Sequence, residues 1–179
     1  MRSDEDLLAA CAMGDQDAFE ELFRRHRAPI FSFITRLVGN RSQAEDVFQE
    51  VFLRVHDRAA SFEPRSRFAA WLYTIAHNAS MDALRRGWRE RWLSFGASFQ
   101  DPPCETDAET EAVRAEERQR LLREVQKLEP RVREVFLLRT HGNLLFREIA
   151  ETLVVPLNTV LSRYHQAVLR LKQALGDEP

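Results

Sequence analysis

Apolar residues along this chain recur almost everywhere at intervals of three and four, the spacing of a helix face, and never alternate as a strand would. Leu7, Leu8 and Cys11 open the first stripe, behind an acidic turn at Asp4–Asp6 that suits a helix N-terminus. Asp15-Gln16-Asp17, after Gly14, starts a second helix carried by Ala18, Phe19, Leu22, Phe23 and His26. Pro29 is expected to break or restart it before Ile30, Phe33, Ile34 and Leu37 lead to a C-cap at Gly39-Asn40. Ser42, with Glu45 three residues on, predicts a capping box for a third helix. Its broad core-facing surface is Ala44, Val47, Phe48, Val51, Phe52 and Val55. Glu63-Pro64 marks 61–67 as a loop, because the residue before proline disfavours helix. Phe68, Trp71, Leu72, Ile75, Ala76 and Ala79 define a fourth helix, which runs into Arg85, Arg86, Arg89 and Arg91 interleaved with Trp88 and Trp92.

The pattern then lapses. Residues 94–111 hold Gly96, Pro102, Pro103 and five acids with little apolar content, which predicts a flexible linker. A second helical unit follows, with Leu121, Leu122, Val125 and Leu128, then Val132, Val135, Phe136 and Leu138 up to His141-Gly142-Asn143. A short stripe of Phe146, Ile149, Ala150 and Leu153 is separated by Val154-Val155-Pro156 from a longer one, Val160, Tyr164, Ala167, Val168, Leu171 and Leu175. Short helix, tight turn, longer helix is the helix-turn-helix arrangement. The expected fold class is all-α: two small helical domains joined by a flexible acidic linker, the C-terminal one a helix-turn-helix.

Charge changes the picture only when it is divided. The 179 residues carry a net charge of −2, which by itself argues against a nucleic-acid partner. By segment the net is 0 for 1–93, −6 for 94–117 and +4 for 118–179, so an acidic connector masks the flanking halves. Of the 26 basic residues 24 are Arg, a side chain suited to bidentate phosphate and base contacts; genomic base composition explains the same bias equally well. No apolar run reaches the ~20 residues of a membrane span, and the N-terminus lacks a signal peptide's apolar stretch. Cys11 and Cys104 stand apart, and the five histidines lie at least 21 residues from one another, so no metal or disulfide pattern forms. No nucleotide-binding or hydrolase motif occurs, and no cofactor or small-molecule substrate is expected.

Three surfaces could carry function. The outer arc near the start of the last helix offers Asn158, Thr159, Ser162, Arg163, His165 and Gln166, residue types that bond base edges in the major groove. Any amphipathic helix shows a polar arc, so the arc alone does not decide. The loop 61–67 and the helix after it combine Phe62, Arg65 and Arg67 with Trp71, Tyr73 and the basic end at Arg85, a mixture of rings and guanidinium groups that suits unstacked DNA bases. Phe62, Trp71 and Leu72 also suit the core, which is the better reading for Trp71 on its residue type alone. On the third helix, Asp46, Gln49, Glu50 and Arg54 lie opposite the apolar face, as a solvated surface or a docking site for a partner protein.

Three stretches together identify a family. The residues from Gly14 to Val55, from Phe68 to Arg86 and from Leu128 to Leu171 resemble the extracytoplasmic-function group of bacterial RNA polymerase sigma factors, in order and spacing, over about 4–92 and 118–175. The resemblance implies a cytoplasmic, non-enzymatic specificity subunit that binds core RNA polymerase and promoter DNA and is restrained by an anti-sigma factor, which is often membrane-tethered. It makes residues 1–93 a region 2-like domain, 94–117 a linker threaded near the RNA exit path, and 118–179 a region 4-like domain. It implies polymerase contacts at Asp46, Gln49, Glu50 and Arg54. It implies −10 contacts at Phe62, Glu63, Arg65, Ser66, Arg67, Trp71, His77, Asn78, Arg85 and Arg86, with the 61–67 loop capturing a flipped base. It implies −35 contacts at Asn158, Thr159, Ser162, Arg163, His165 and Gln166. A polymerase-independent helix-turn-helix regulator on the same scaffold is the alternative.

The chain departs from the family pattern mainly near its C-terminus. Leu145 stands where a capping Ser is usual, Val154 and Asn158 where Gly is common, and Leu161 and Gln166 where a Lys or Arg usually faces DNA. Each lost phosphate contact is expected to flatten the salt dependence of binding by a slope of roughly 0.9.

Overall fold

The structure, a computed structural model, describes residues 2–63, 67–93 and 119–176, with the backbone alone over 87–93. The linker 94–117 lies outside the described residues, as do Arg65 and Ser66. Among the described residues every regular element is helical: α1 (Asp4–Ala12), α2 (Gln16–Val38), α3 (Arg41–Arg58), a 3-10 turn (Ala59–Ser61), α4 (Phe68–Leu93), α5 (119–127), α6 (Pro130–Thr140), α7 (Phe146–Leu153) and α8 (Leu157–Gly176).

The caps explain most of the boundaries. Ser3 and Asp6 exchange side-chain and backbone hydrogen bonds in a capping box on α1, and Asp15 accepts from the Ala18 N–H at the start of α2. Gly39, at φ 74°, closes α2 in the left-handed conformation that glycine adopts without steric cost. Two expectations change here. Asn40, not Ser42, caps α3, its Oδ1 accepting from the Gln43 N–H at 3.0 Å. Proline also fails to interrupt α2, which runs unbroken through Pro29. An interior proline costs about 3 kcal/mol or more, so packing on both sides must offset it. Ala18 and Leu22 before it and Ile30, Phe33, Ile34 and Leu37 after it are all buried against neighbouring helices.

Helices α2, α3 and α4 pack pairwise and α1 lies across α2, tied down by Arg25 and His26, which reach the Asp4 carboxylate at 2.7 and 2.8 Å. Glu5 of α1 accepts from the Phe68 N–H at 3.0 Å and so caps α4. In the second unit α6 and α7 pack on α8, with Phe136 and Phe146 against Tyr164. The two units also pack on each other, α6 on α2 and α7 on α4. Helix α6 accordingly buries two faces: Val132, Val135 and Leu138, together with Leu137, fully enclosed beside them.

Leu145 supplies no capping side chain to α7; its own N–H donates to Glu148 Oε2 at 2.6 Å, which satisfies half of a capping box. Val154 ends α7 at φ 53°, ψ 49°, and its side chain is 88% exposed. A left-handed β-branched residue costs about 1–2 kcal/mol and here gains no packing in return. Val154→Gly should therefore stabilise the chain by about 1 kcal/mol once glycine's greater unfolded-state entropy is subtracted, a rise read as a higher urea midpoint at unchanged slope.

Candidate nucleic-acid interface

Helix α3 presents Asp46, Gln49 and Leu53 to solvent along one edge, at i, i+3 and i+7. Leu53 is 65% exposed and was not marked by the apolar periodicity, because it falls off the core stripe. A single exposed apolar side chain is ordinary on a protein surface, and Leu53 matters here only because it shares its row with Asp46 and Gln49. Glu50, half-buried beside them, is already paired: Arg54 binds it from the next turn, and Arg86 of α4 reaches its second oxygen at 3.4 Å. The first-unit carboxylate group thus divides into a free member, Asp46, and a structural member, Glu50.

The aromatic residues next to the loop form a cluster. Phe62 and Trp71 meet edge to face at 5.4 Å, and Phe68 sits beneath them, fully buried. Phe62 and Trp71 remain half-buried, able to be both support and contact. Glu63, Asn78, Arg85 and Arg86 are exposed. Tyr73 is not available for stacking on a base: it is 3% exposed, meets Phe33 edge to face at 5.0 Å, and its hydroxyl donates to the His141 carbonyl at 2.8 Å. Burial pushes its phenol pKa up to about 12.

The second unit covers part of this face. Arg67 donates to both oxygens of Glu148 at 2.9 and 3.1 Å, the Thr74 and Thr152 hydroxyls meet at 2.8 Å, and His77 Nε2 lies 3.2 Å from Glu134 Oε2. His77 is 6% exposed. Gln126 adds an amide donor to the Arg36 carbonyl at 2.8 Å. At Gly142 a Cβ would stand 2.5 Å from the Leu144 side chain and 2.7 Å from the Leu138 carbonyl oxygen, so the turn after α6 has no room for a side chain, and it also lies close to α4, 3.1 Å from the Tyr73 ring. Two of the anticipated DNA-binding side chains, Arg67 and His77, are therefore engaged by the other half of the same chain.

His141 belongs to this junction. Burial first, and the nearby Arg36 guanidinium second, push its imidazole from 6.5 down to about 4. The group stays neutral in the folded chain and takes up a proton on unfolding, so its contribution to stability is present above 6.5 and is lost as pH falls toward 4. His141→Gln should flatten that acid response, seen as a wild-type-minus-variant difference in unfolding midpoint that changes between about pH 7 and about pH 4.5. A constant difference would remove His141 from the acid response.

On α8 the anticipated readers separate. Asn158, Ser162 and His165 are exposed and share one outer face, whereas Thr159 and Gln166 are half-buried at its margins. Arg163 departs from the expected outward position: its side chain is 17% exposed and reaches Glu134 of α6 at 3.5 Å. Glu134 thus sits between His77 of the first unit and Arg163 of the second. Among the described residues no cluster of side chains suits a metal ion, and no helix is long and apolar enough to cross a membrane.

Known proteins match the chain along most of its length. Residues 22–90 match the family model for Sigma-70 region 2, and residues 118–171 match Sigma-70, region 4. The chain is 35% identical over 164 residues to the RNA polymerase sigma factor CarQ of Myxococcus xanthus, covering 92% of each. It is 30% identical over 175 residues to the ECF RNA polymerase sigma factor SigW of Bacillus subtilis, again covering 92% of each. In fold it is similar to the sigma factor RpoE solved with the anti-sigma factor NepR from Bartonella quintana, with a TM-score of 0.74 at 22% identity over 90% of this chain and 98% of that one. It is also similar to CnrH, solved with the cytosolic domain of CnrY, with a TM-score of 0.70 at 24% identity over 98% and 99%.

Proposed function

The chain belongs to the extracytoplasmic-function sigma factors of the sigma-70 family, and we propose that its surfaces divide the work of promoter-specific initiation between polymerase docking on α3 and DNA reading on α4 and α8. Sigma factors are non-enzymatic initiation factors, so the nucleotidyl transfer belongs to the polymerase. In this reading Asp46, Gln49 and Leu53 contact core polymerase, with Glu50 and Arg54 holding the edge of α3 in shape. Phe62, Glu63, Trp71, Asn78, Arg85 and Arg86 serve the −10 element, joined by Arg67 and His77 once the second unit moves away and by Arg65 and Ser66 of the loop. Asn158, Ser162 and His165 read the −35 element, with Thr159 and Gln166 at the edge of the contact. Arg163 positions α8 through Glu134 instead of bonding a base.

The observation that carries the reading is the exposed polar face on the second helix of a helix-turn-helix, on the same chain as an acidic helix edge with one exposed leucine. The covered face of α4 favours a further part of it. We read the arrangement as a closed state, and an anti-sigma factor as the partner that holds it closed. The protein then works in the cytoplasm and meets a membrane only through such an inhibitor. Core-dependent run-off transcription from a pool randomised at both promoter elements tests the function. Enrichment of a −10 and a −35 sequence is expected. Duplex binding without core, with no promoter-specific transcript, would instead support a polymerase-independent regulator.

A further inference from the structure

Among the described residues eight large apolar side chains are exposed, and six of them, Leu145, Val154, Leu157, Leu161, Leu169 and Leu175, belong to the helix-turn-helix or the rest of α8. Scattered exposed leucines need no explanation, but a concentration on one functional helix does. Leu157 is 37% exposed and Leu161 is 41% exposed, and both lie in the first two turns of α8, the part of a recognition helix that enters the major groove. Residues 157, 158, 161, 162 and 165 are all exposed and follow one another around a single face. Val160, Ala167 and Leu171 occupy the opposite, buried face. Leu161 therefore stands between Asn158 and His165, in the row that would meet base edges.

The same turns lack a free cation. Arg163 is the one Arg or Lys between 157 and 166, and Glu134 holds it. A face made of Asn, Ser, His and two leucines has hydrogen-bonding groups for base edges, but its apolar side, Leu157 and Leu161 one turn apart, can gain only from apolar surface on the DNA. In the major groove one base supplies such surface, the C5-methyl of thymine.

We infer that Leu157 and Leu161 read thymine methyl groups in the −35 element, so that part of promoter choice rests on apolar contact. The inference depends on α8 being the −35 reader. Promoter DNA is the occupant because the leucines are continuous with the polar side chains of the same recognition face.

Equilibrium competition with the full chain on core polymerase tests it, using the −35 sequence selected from the randomised pool. Each thymine is replaced in turn by deoxyuridine, which keeps every hydrogen-bonding group and removes only the methyl. At one or two positions the exchange should weaken wild-type binding roughly fourfold, the value of burying one methyl-sized group. Leu161→Ala, exposed and so harmless to folding, should bind both probes equally at one of those positions. A uracil exchange that is silent throughout, or a selected element without thymine on either strand, would overturn the inference. Asn158→Ala and Ser162→Ala separate the two levels. If they shift −35 preference while uracil is silent, methyl readout alone fails; if they also leave preference unchanged, the placement of α8 on the −35 element fails with it.

Discussion

Asp46→Arg combined with Leu53→Arg is expected to lower affinity for core RNA polymerase by at least about 100-fold, roughly 2.7 kcal/mol, with thermal unfolding within about 1 kcal/mol of the parent. Both side chains are exposed and neither is hydrogen-bonded within the described residues, so their replacement removes an outward surface and leaves the helix intact. The two substitutions put a cation where a docked polymerase would meet an anion, and add a second charge at the exposed apolar position of the same edge. Glu50→Arg would be a poorer probe. It would place a third guanidinium beside Arg54 and Arg86, which now share the Glu50 carboxylate, and would confound docking with local repulsion between α3 and α4. Fluorescence anisotropy against core polymerase, paired with a melting curve, distinguishes the outcomes. A double variant that melts normally and still binds core within tenfold of wild type would remove α3 from the interface.

The largest effect on stability is expected at Phe33. It is fully buried in α2, and its ring meets Tyr73 of α4, whose hydroxyl in turn bonds the His141 carbonyl of the second unit. Phe33→Ala should cost about 3–5 kcal/mol, the range for truncating a buried aromatic, against a total stability of about 5–15 kcal/mol. The loss should reach beyond α2. With no ring beside it Tyr73 is free to shift, and the bond that carries it to His141 weakens. Amide exchange in α6 and near Gly142 should therefore quicken together with exchange in α2 and α4. Phe33→Leu, which retains most of the volume, should fall well short of the alanine cost. If the alanine variant unfolds within about 1 kcal/mol of wild type, the ring is not the packing centre that its burial indicates.

Within each unit, hydrophobic spacing made the fold legible. Every stripe read at three- and four-residue spacing became a helix; Asp4–Asp6 fill the first turn of α1 behind a Ser3 cap, and Asp15 caps α2. The errors at Asn40 and Pro29 have different causes: Asn caps as well as Ser, and the choice is settled locally by the bond from the Gln43 N–H. Proline tolerance at Pro29 depends on packing against neighbouring helices, which periodicity does not contain. The packing of the two units was illegible for a different reason. Leu137 beside Leu138, and Leu144 in a turn, did signal a helix end buried on two sides, but adjacent leucines also suit a single broad face. The site was half legible. Residue type and order pointed to DNA along α4 and α8, yet His77 and Arg163 are turned onto Glu134 by contacts between elements far apart in the chain. Leu53 was harder still, because an apolar residue facing outward breaks the pattern used to find faces, and Leu161 was marked only through the family pattern.

Glu134 has a thermodynamic consequence. One carboxylate faces His77 on the −10 side and Arg163 on the recognition helix, so a single side chain ties the −10 face to the frame of α8. The outer face of α8 stays exposed while the units are packed, whereas Arg67 and His77 of the −10 face are engaged, so the free energy of separating the units falls on the −10 element alone. Each 1.4 kcal/mol of it lowers apparent affinity for that element about tenfold. In this reading the closed chain meets the −35 element as it stands, and −10 capture waits for the units to part.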